Sequence, residues 1–212
     1  MKIVILDGYT INPGDLSWEE LSRFGELTVY DRTAVEQAVD RIGDASIVLL
    51  SKVPVTAKLL DACPNIRYIG VLATGYNNVD LQATRERGIV VTNIPAYSTA
   101  SVAQYVFALL LEICHHVGHH ATAVKGGRWS EQPDFCFWDY PLIELAGKTL
   151  GIIGFGQIGR AVAPIAAAMG MNVLFYARRP MDGMGLPAQQ VTLTELYKLA
   201  DVISLHVPLN DE

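Results

Sequence analysis

The residues best suited to chemistry are Gly154-Phe155-Gly156-Gln157-Ile158-Gly159, which match G-x-G-x-x-G. Before them stands Thr149–Ile153, a short apolar run of strand type. After them come an Ala-rich helical stretch, Arg160–Met169, and a second strand pattern, Asn172–Ala177. That order gives the glycines a meaning. The first permits a tight turn, the second lets backbone approach a pyrophosphate, and the third lets helix and strand pack closely. The helix N-terminus then offers unpaired N–H groups and a positive dipole end to phosphate. Glycine turns also serve plain packing, but strand, turn, helix and strand together favour a dinucleotide site.

The ribose end carries further information. NAD sites usually place Asp or Glu at the end of the second strand, where the side chain accepts from the 2′-hydroxyl. Here the strand ends Phe175-Tyr176-Ala177-Arg178-Arg179. A carboxylate would repel a 2′-phosphate, whereas a guanidinium fork pairs well with it. Ala177, Arg178 and Arg179 therefore predict NADP(H) preference or use of both cofactors. The plainer alternative is two solvated arginines, with NAD(H) held through backbone.

Two histidine arrangements need weighing. His115, His116, His119 and His120 form two i,i+4 pairs, a spacing that can bind zinc. Polar surface histidines are the preferred reading, and no metal site is expected. His206 ends a strand pattern in the same half of the chain, a position from which a general acid could act.

The elements that must position these residues follow from pattern. Apolar residues make up 50% of 212, enough for one large core or two small ones. A net charge of −6 argues against nucleic-acid and membrane-surface roles. Met1–Asp7 reads as a buried first strand rather than a signal peptide, and no stretch is long enough to span a bilayer. Cys63, Cys114 and Cys136 share no metal or redox spacing and read as reduced thiols in a cytoplasmic protein.

In residues 1–98, strands at 3–6, 27–30, 46–50, 68–72 and 89–92 alternate with helices at 16–24, 34–42, 56–63 and 79–87. Such alternation predicts a parallel sheet with helices on both faces. Residues 98–124 form the longest helical pattern, with Val102, Tyr105, Val106, Leu109, Leu110 and Ile113 on one face and Ser98 or Thr99 as cap. Residues 126–145 form an irregular arm whose stretch 126–140 holds Trp129, Phe135, Phe137, Trp138 and Tyr140. It reads either as a subunit contact or as a loop packed on its own domain. The second α/β unit has strands at 149–153, 172–177 and 202–206 and helices at 157–169 and 193–199. That is the first half of a dinucleotide fold, with an uncovered edge expected on its first strand. The chain is accordingly expected to be a fragment of a longer one.

Four stretches carry a family likeness: Leu72-Ala73-Thr74-Gly75-Tyr76-Asn77-Asn78-Val79-Asp80; Asn93-Ile94-Pro95-Ala96-Tyr97-Ser98-Thr99 with Val102-Ala103; Leu145-Ala146-Gly147-Lys148-Thr149 running into the glycine motif; and His206-Val207-Pro208-Leu209. Through these the whole chain resembles the D-isomer-specific 2-hydroxyacid dehydrogenases. Ser101–Val106 and the aromatic arm look most like glycerate dehydrogenases, also called hydroxypyruvate reductases. The resemblance implies an α/β fold with a flavodoxin-like substrate domain (1–98) and a Rossmann NAD(P)-binding domain (99–212) of which the first half is present. It also implies a cleft between the domains and a homodimer built on the Rossmann domain with its connecting helix (99–124) and arm (126–145).

The implied reaction is hydride transfer between a nicotinamide dinucleotide and a small D-2-hydroxy or 2-oxo acid, such as glycerate, hydroxypyruvate or glyoxylate. Ala73, Thr74 and Gly75 match the loop that holds the substrate carboxylate by main chain, and Lys52, after the strand at 46–50, could face the same site. The cofactor would meet Thr99, the motif residues Gly154, Phe155, Gly156, Gln157, Ile158 and Gly159, the turn Ala177–Arg179, and His206, Val207 and Pro208. In the family that last stretch lines the cofactor site chiefly by backbone, so His206 is not read as the acid. The family's Arg, Glu and His follow the third Rossmann strand, and Asp211 and Glu212 do not match them. No catalytic residue is therefore expected within these 212 residues, and the chain alone is expected to lack turnover. Two other readings stand beside this one: a catalytically inactive dinucleotide-binding regulatory module, and a formate dehydrogenase of the same superfamily.

Overall fold

Two parallel sheets organise the protein, each built where short apolar runs alternate with amphipathic helices. The computed structural model describes residues 1–181, 183 and 185–208. Leu209, Asp211 and Glu212, read above, lie outside the described residues. The chain divides into a unit of residues 1–97 and a unit of residues 98–212.

In the first unit the strands are β1 (Lys2–Ile5), β2 (Glu26–Val29), β3 (Ile47–Leu50), β4 (Tyr68–Val71) and β5 (Val90–Thr92). They run parallel in the order β2-β1-β3-β4-β5, the flavodoxin-like order, whose chain reverses direction of growth between β1 and β3. The central strands are apolar almost throughout because both faces are covered. Val4, Val48, Leu50, Ile69 and Val71 meet Ala38, Ile42, Leu59 and Leu60 on one face. Ile3, Ile5 and Leu49 meet Trp18, Leu21 and Leu27 on the other. The helices are α1 (Glu19–Ser22), α2 (Ala38–Ile42), α3 (Ala57–Ala62) and α4 (Leu81–Glu86). The Thr56 hydroxyl caps α3 and the Asp80 carboxylate caps α4. The helix expected at 16–24 shrinks to the four residues of α1. Asn12 explains part of this: its side chain bonds Gly14 N, Leu16 N and Leu16 O, which holds the approach in a turn.

In the second unit, α5 (Thr99–His115) and α6 (Val117–Lys125) replace the single helix expected over 98–124. The break is at His116, whose φ of 49° is left-handed. The pair is bent by 64°, and no single helix among the described residues is long and apolar enough to cross a membrane. Ser98 occupies the cap position of α5 but makes no side-chain cap bond. The inner face also differs from expectation. Ala103, Phe107, Leu110 and Cys114 are buried, while Tyr105, Leu109 and Ile113 are exposed. The helix is apolar on two sides, so periodicity did not single out the inner one.

After a short α7 (Arg128–Glu131) come β6 (Thr149–Ile153), α8 (Gln157–Ala168), β7 (Asn172–Tyr176), β8 (Gln189–Gln190), α9 (Leu193–Leu199) and β9 (Val202–Leu205). The sheet order is β8-β7-β6-β9, all parallel. The first strand, β6, is thus interior, because β9 pairs along its far side. The edge expected on β6 falls on β9, where Ile203 and Leu205 are exposed. β8 was missed in sequence because two glutamines carry no strand pattern. The core closes where Val162, Ala163 and Ala166 of α8 meet Phe107 and Leu110 of α5 and Leu150, Ile152 and Phe175 of the sheet.

Candidate dinucleotide and anion sites

The glycine motif sits at the C-terminal end of β6, between β7 and β9, where the strand order reverses. Ligands of open parallel sheets bind at such a switch point. Two backbone bonds fix the start of the motif: Gly154 N donates to Tyr176 O at 3.1 Å, and His206 N donates to Ile153 O at 2.8 Å. Gly154 has φ 94°, and a Cβ there would lie 2.4 Å from His206 O. At Gly159 a Cβ would lie 2.4 Å from Gly154 O. These two glycines therefore let β6, α8 and β9 converge.

Gly156 is different. A Cβ on it would meet nothing within 4 Å, so packing does not require a glycine there. Gly156 is also the N-cap of the 12-residue α8 and provides no side-chain cap bond. Open space above a bare backbone, next to the uncapped N–H groups of a helix, suits a pyrophosphate. The donor set fits a dinucleotide.

The remaining motif residues divide between core and surface. Phe155 is buried and stacks on Phe175 with ring centroids 3.8 Å apart and planes 14° apart, so only its backbone can face a ligand. Ile158 packs on the same core, and Gln157 is exposed. The turn after β7 carries half-buried Ala177 and exposed Arg178 and Arg179. On the far side of the switch point, Ser204 and the His206 ring nitrogen Nε2 lie 2.9 Å apart. Burial holds the His206 pKa below its ordinary value, which favours the neutral ring. Val207 and Pro208 follow, both exposed. Thr99 lies at the start of α5, half-buried.

The first unit builds bonded loops at the C-terminal edge of its sheet. Asn93 Nδ2 donates to Thr74 O at 2.8 Å, the Thr74 hydroxyl donates to Ile94 O at 3.1 Å, and Ile94 N donates to Ala73 O at 3.1 Å. These bonds use carbonyls and a hydroxyl of the Ala73–Gly75 loop rather than the N–H groups that a carboxylate would need. The neighbouring turn is pinned from two sides. Buried Asp7 accepts from Ser51 N at 2.8 Å, Lys52 N at 2.5 Å and Val53 N at 3.3 Å. Asn78 Nδ2 donates to Ser51 O at 3.2 Å and Val53 O at 3.1 Å. The Lys52 side chain, exposed, thus rises from a fixed backbone. Neither Asp7 nor the amide of Asn78 was picked out in sequence. An acid directly after the first strand was the available signal.

The histidine group and the arm meet. The His119 ring and Asp139 Oδ2 lie 2.6 Å apart, and Arg128 pairs with the same carboxylate. These partners hold the Asp139 pKa down at about 2, the Arg128 bond contributing most. Tyr140 packs against His116 and His119, and Phe137 lies beside His120 and under Arg128. An acidic partner for His119 does exist, then, though it is distant in sequence. No group of three metal-type side chains comes together among the described residues.

Comparison with known proteins agrees with this geometry. The family model described as D-isomer specific 2-hydroxyacid dehydrogenase, NAD binding domain, matches residues 107–212. The chain is 55% identical over 221 residues to a hydroxypyruvate reductase of Blautia hydrogenotrophica, covering 100% of this chain and 67% of the relative. An acyclic imino acid reductase solved with NADPH and D-Arg superposes with a TM-score of 0.78 at 31% identity, covering 100% of this chain and 66% of that one. D-lactate dehydrogenase of Aquifex aeolicus, solved with NAD and lactic acid, gives 0.79 at 29% identity, covering 99% and 61%. The chain thus spans about two thirds of the length of the curated relative and less of the second solved structure. With the switch-point glycines and these matches in agreement, the chain belongs to the D-isomer-specific 2-hydroxyacid dehydrogenase family.

Proposed function

We propose that this chain forms the cofactor-binding and substrate-anchoring part of an NADPH-preferring reductase of small 2-oxo acids, with hydroxypyruvate as the preferred substrate and glyoxylate the next. The observation that carries the reading is Gly156, kept bare over a helix N-terminus although packing leaves room for a side chain. The relative that is 55% identical bears the name hydroxypyruvate reductase, which supports the choice of substrate. When bound, the reduced nicotinamide supplies the hydride.

The chain's own residues bind and orient. Residues 99–212 take the cofactor: N–H groups of Gly156–Ile158 meet the pyrophosphate, and the turn Ala177–Arg179 meets the ribose, where a guanidinium pairs with a 2′-phosphate. The backbone of His206–Pro208 borders the nicotinamide side, and Thr99 the start of α5. Residues 1–98 take the substrate: N–H groups of Ala73–Gly75 hold its carboxylate, with Lys52 beside them. His206 is an unsuitable proton donor, since burial favours its neutral form. The 212-residue chain alone is proposed to bind cofactor without turnover.

The assembly is proposed to be a homodimer through α5, α6 and the arm. Tyr105, Leu109 and Ile113 form an exposed i, i+4, i+8 stripe, and Phe135 and Trp138 stand 87% and 69% exposed. Apolar surface in that amount favours a partner surface.

The test is steady-state reduction of hydroxypyruvate by the protein that carries this chain, with NADPH and with NADH. A higher kcat/KM with NADPH, lost in Arg178→Ala/Arg179→Ala, supports the reading. Equal use of both cofactors overturns the NADPH preference, and absence of 2-oxo acid reduction overturns the substrate class.

A further inference from the structure

The least conspicuous strand of the second unit carries a side chain matched to the ribose turn. Gln190 is held in register by β8, opposite Phe175 of β7, and Val191 N donates to Phe175 O at 3.0 Å. From there the Gln190 amide reaches three alternate residues of the turn. Its Nε2 donates to Ala177 O at 3.3 Å and Arg179 O at 3.0 Å, and its Oε1 accepts from Met181 N at 2.8 Å. A primary amide has two N–H donors and one carbonyl acceptor. All three functions are spent on this one stretch of backbone.

A two-residue strand gains little from its own ladder. Its consequence is placement. Phe175 is locked in the core against Phe155 of the glycine motif, so Gln190 ties the path of the Arg178–Arg179 backbone to the element that sets the phosphate cradle. We propose that Gln190 is a positioning residue that sets the choice between NADPH and NADH by fixing this turn. The proposal rests on reading the turn as the ribose end of the cofactor site.

Without the amide, two carbonyls and one N–H turn to water and the turn loses its single path. A 2′-phosphate pairs with guanidinium groups at defined positions and is sensitive to that loss. A 2′-hydroxyl is less so. Gln190→Ala should raise the Kd for NADPH about tenfold, the scale of a hydrogen bond or two to charged or well-placed groups, and change the Kd for NADH less than about twofold.

The experiment is a titration of the full-length protein and its Gln190→Ala variant with NADPH and NADH, followed by nucleotide fluorescence. Gln190→Met, which keeps the side-chain volume, takes its place if the alanine variant does not fold. The same substitution is then made in an Arg178→Ala/Arg179→Ala background. The expected result is a fall in the NADH-to-NADPH Kd ratio in the single variant and no further fall in the combined one, since the effect acts through the arginines. An equal change for both nucleotides, no change for either, or additive effects would overturn the role of Gln190. A wild-type protein that binds NADPH no better than NADH would instead sink the NADPH reading. The Gln190 inference would still be judged by whether the ratio moves.

Discussion

The Asp7 carboxylate accepts the backbone N–H of Ser51 at 2.8 Å and takes the next two N–H groups of the same turn as well. A ligand-binding edge of a flavodoxin-order sheet is here filled partly by the protein's own carboxylate, which fixes the backbone under Lys52. Asp7→Ala leaves three N–H groups in a partly buried place without their acceptor. Loss of charge-assisted bonds of this kind costs roughly 3 kcal/mol. Urea unfolding should show that loss in the transition of residues 1–97, with dinucleotide affinity unchanged. A midpoint like that of the wild type would show that water replaces the carboxylate without cost.

Gly154 and Gly156 should respond oppositely to alanine. In Gly154→Ala the new methyl must displace His206 O from 2.4 Å and adopt a left-handed backbone, so the second unit should lose stability by about 2 kcal/mol or more. Gly156→Ala meets nothing in the protein and should leave the thermal midpoint within a degree or two, since surface changes shift stability by less than about 0.5 kcal/mol. Its methyl would stand where the pyrophosphate approaches, and the Kd for NADPH should rise at least about tenfold. Normal affinity in Gly156→Ala would remove the chief support for the site.

Acid should release the arm. Asp139 has its pKa lowered to about 2, first by the Arg128 bond and then by His119. A lowered folded pKa means that the contribution is complete above the unfolded carboxylate value near 3.8 and is lost as pH falls from there through about 2. Tryptophan fluorescence, with Trp129 and Trp138 in the arm, should report an arm transition in that window. Asp139→Asn should abolish it. An unchanged transition in the variant would assign it to other carboxylates.

The exposed stripe of α5 and the arm should prove self-associating. Leu109→Arg with Ile113→Glu, and separately Phe135→Ser with Trp138→Ser, are expected to lower the sedimentation mass from dimer to monomer without unfolding the protein. A wild-type monomer at micromolar concentration would end that proposal.

Much of this was legible in sequence, and what was not has identifiable causes. The strands and most helices followed from apolar runs with local caps, as at Thr56 and Asp80, whose signals lie within a few residues. The glycine motif was legible for the same reason. The bend at His116 was hidden because α5 and α6 continue one helical composition, and nothing marks His116 as left-handed. β8 was hidden because Gln190 earns its place through side-chain bonds to a turn rather than through β propensity. Asp7 and Asp139 were overlooked as partners because they act at separations of 44 to 46 and 11 to 20 residues. Spacing rules do not reach that far.

The convergence at Gly154 has a mechanical consequence. Its peptide lies between the end of β9 and the start of α8, with no room for one further carbon on either side. Slack cannot accumulate there, so thermal motion of either element is passed to the other. The turn at 177–181 is held differently, in part by the Gln190 amide reaching across from β8. On the proposed reading of the site, the dinucleotide would meet a stiff anchor at its phosphates and a more compliant clasp at its adenosine end. Backbone hydrogen exchange should be slow over 152–155 and faster over 177–181. Release of the nucleotide is then expected to begin at the clasp, with the phosphates the last to leave.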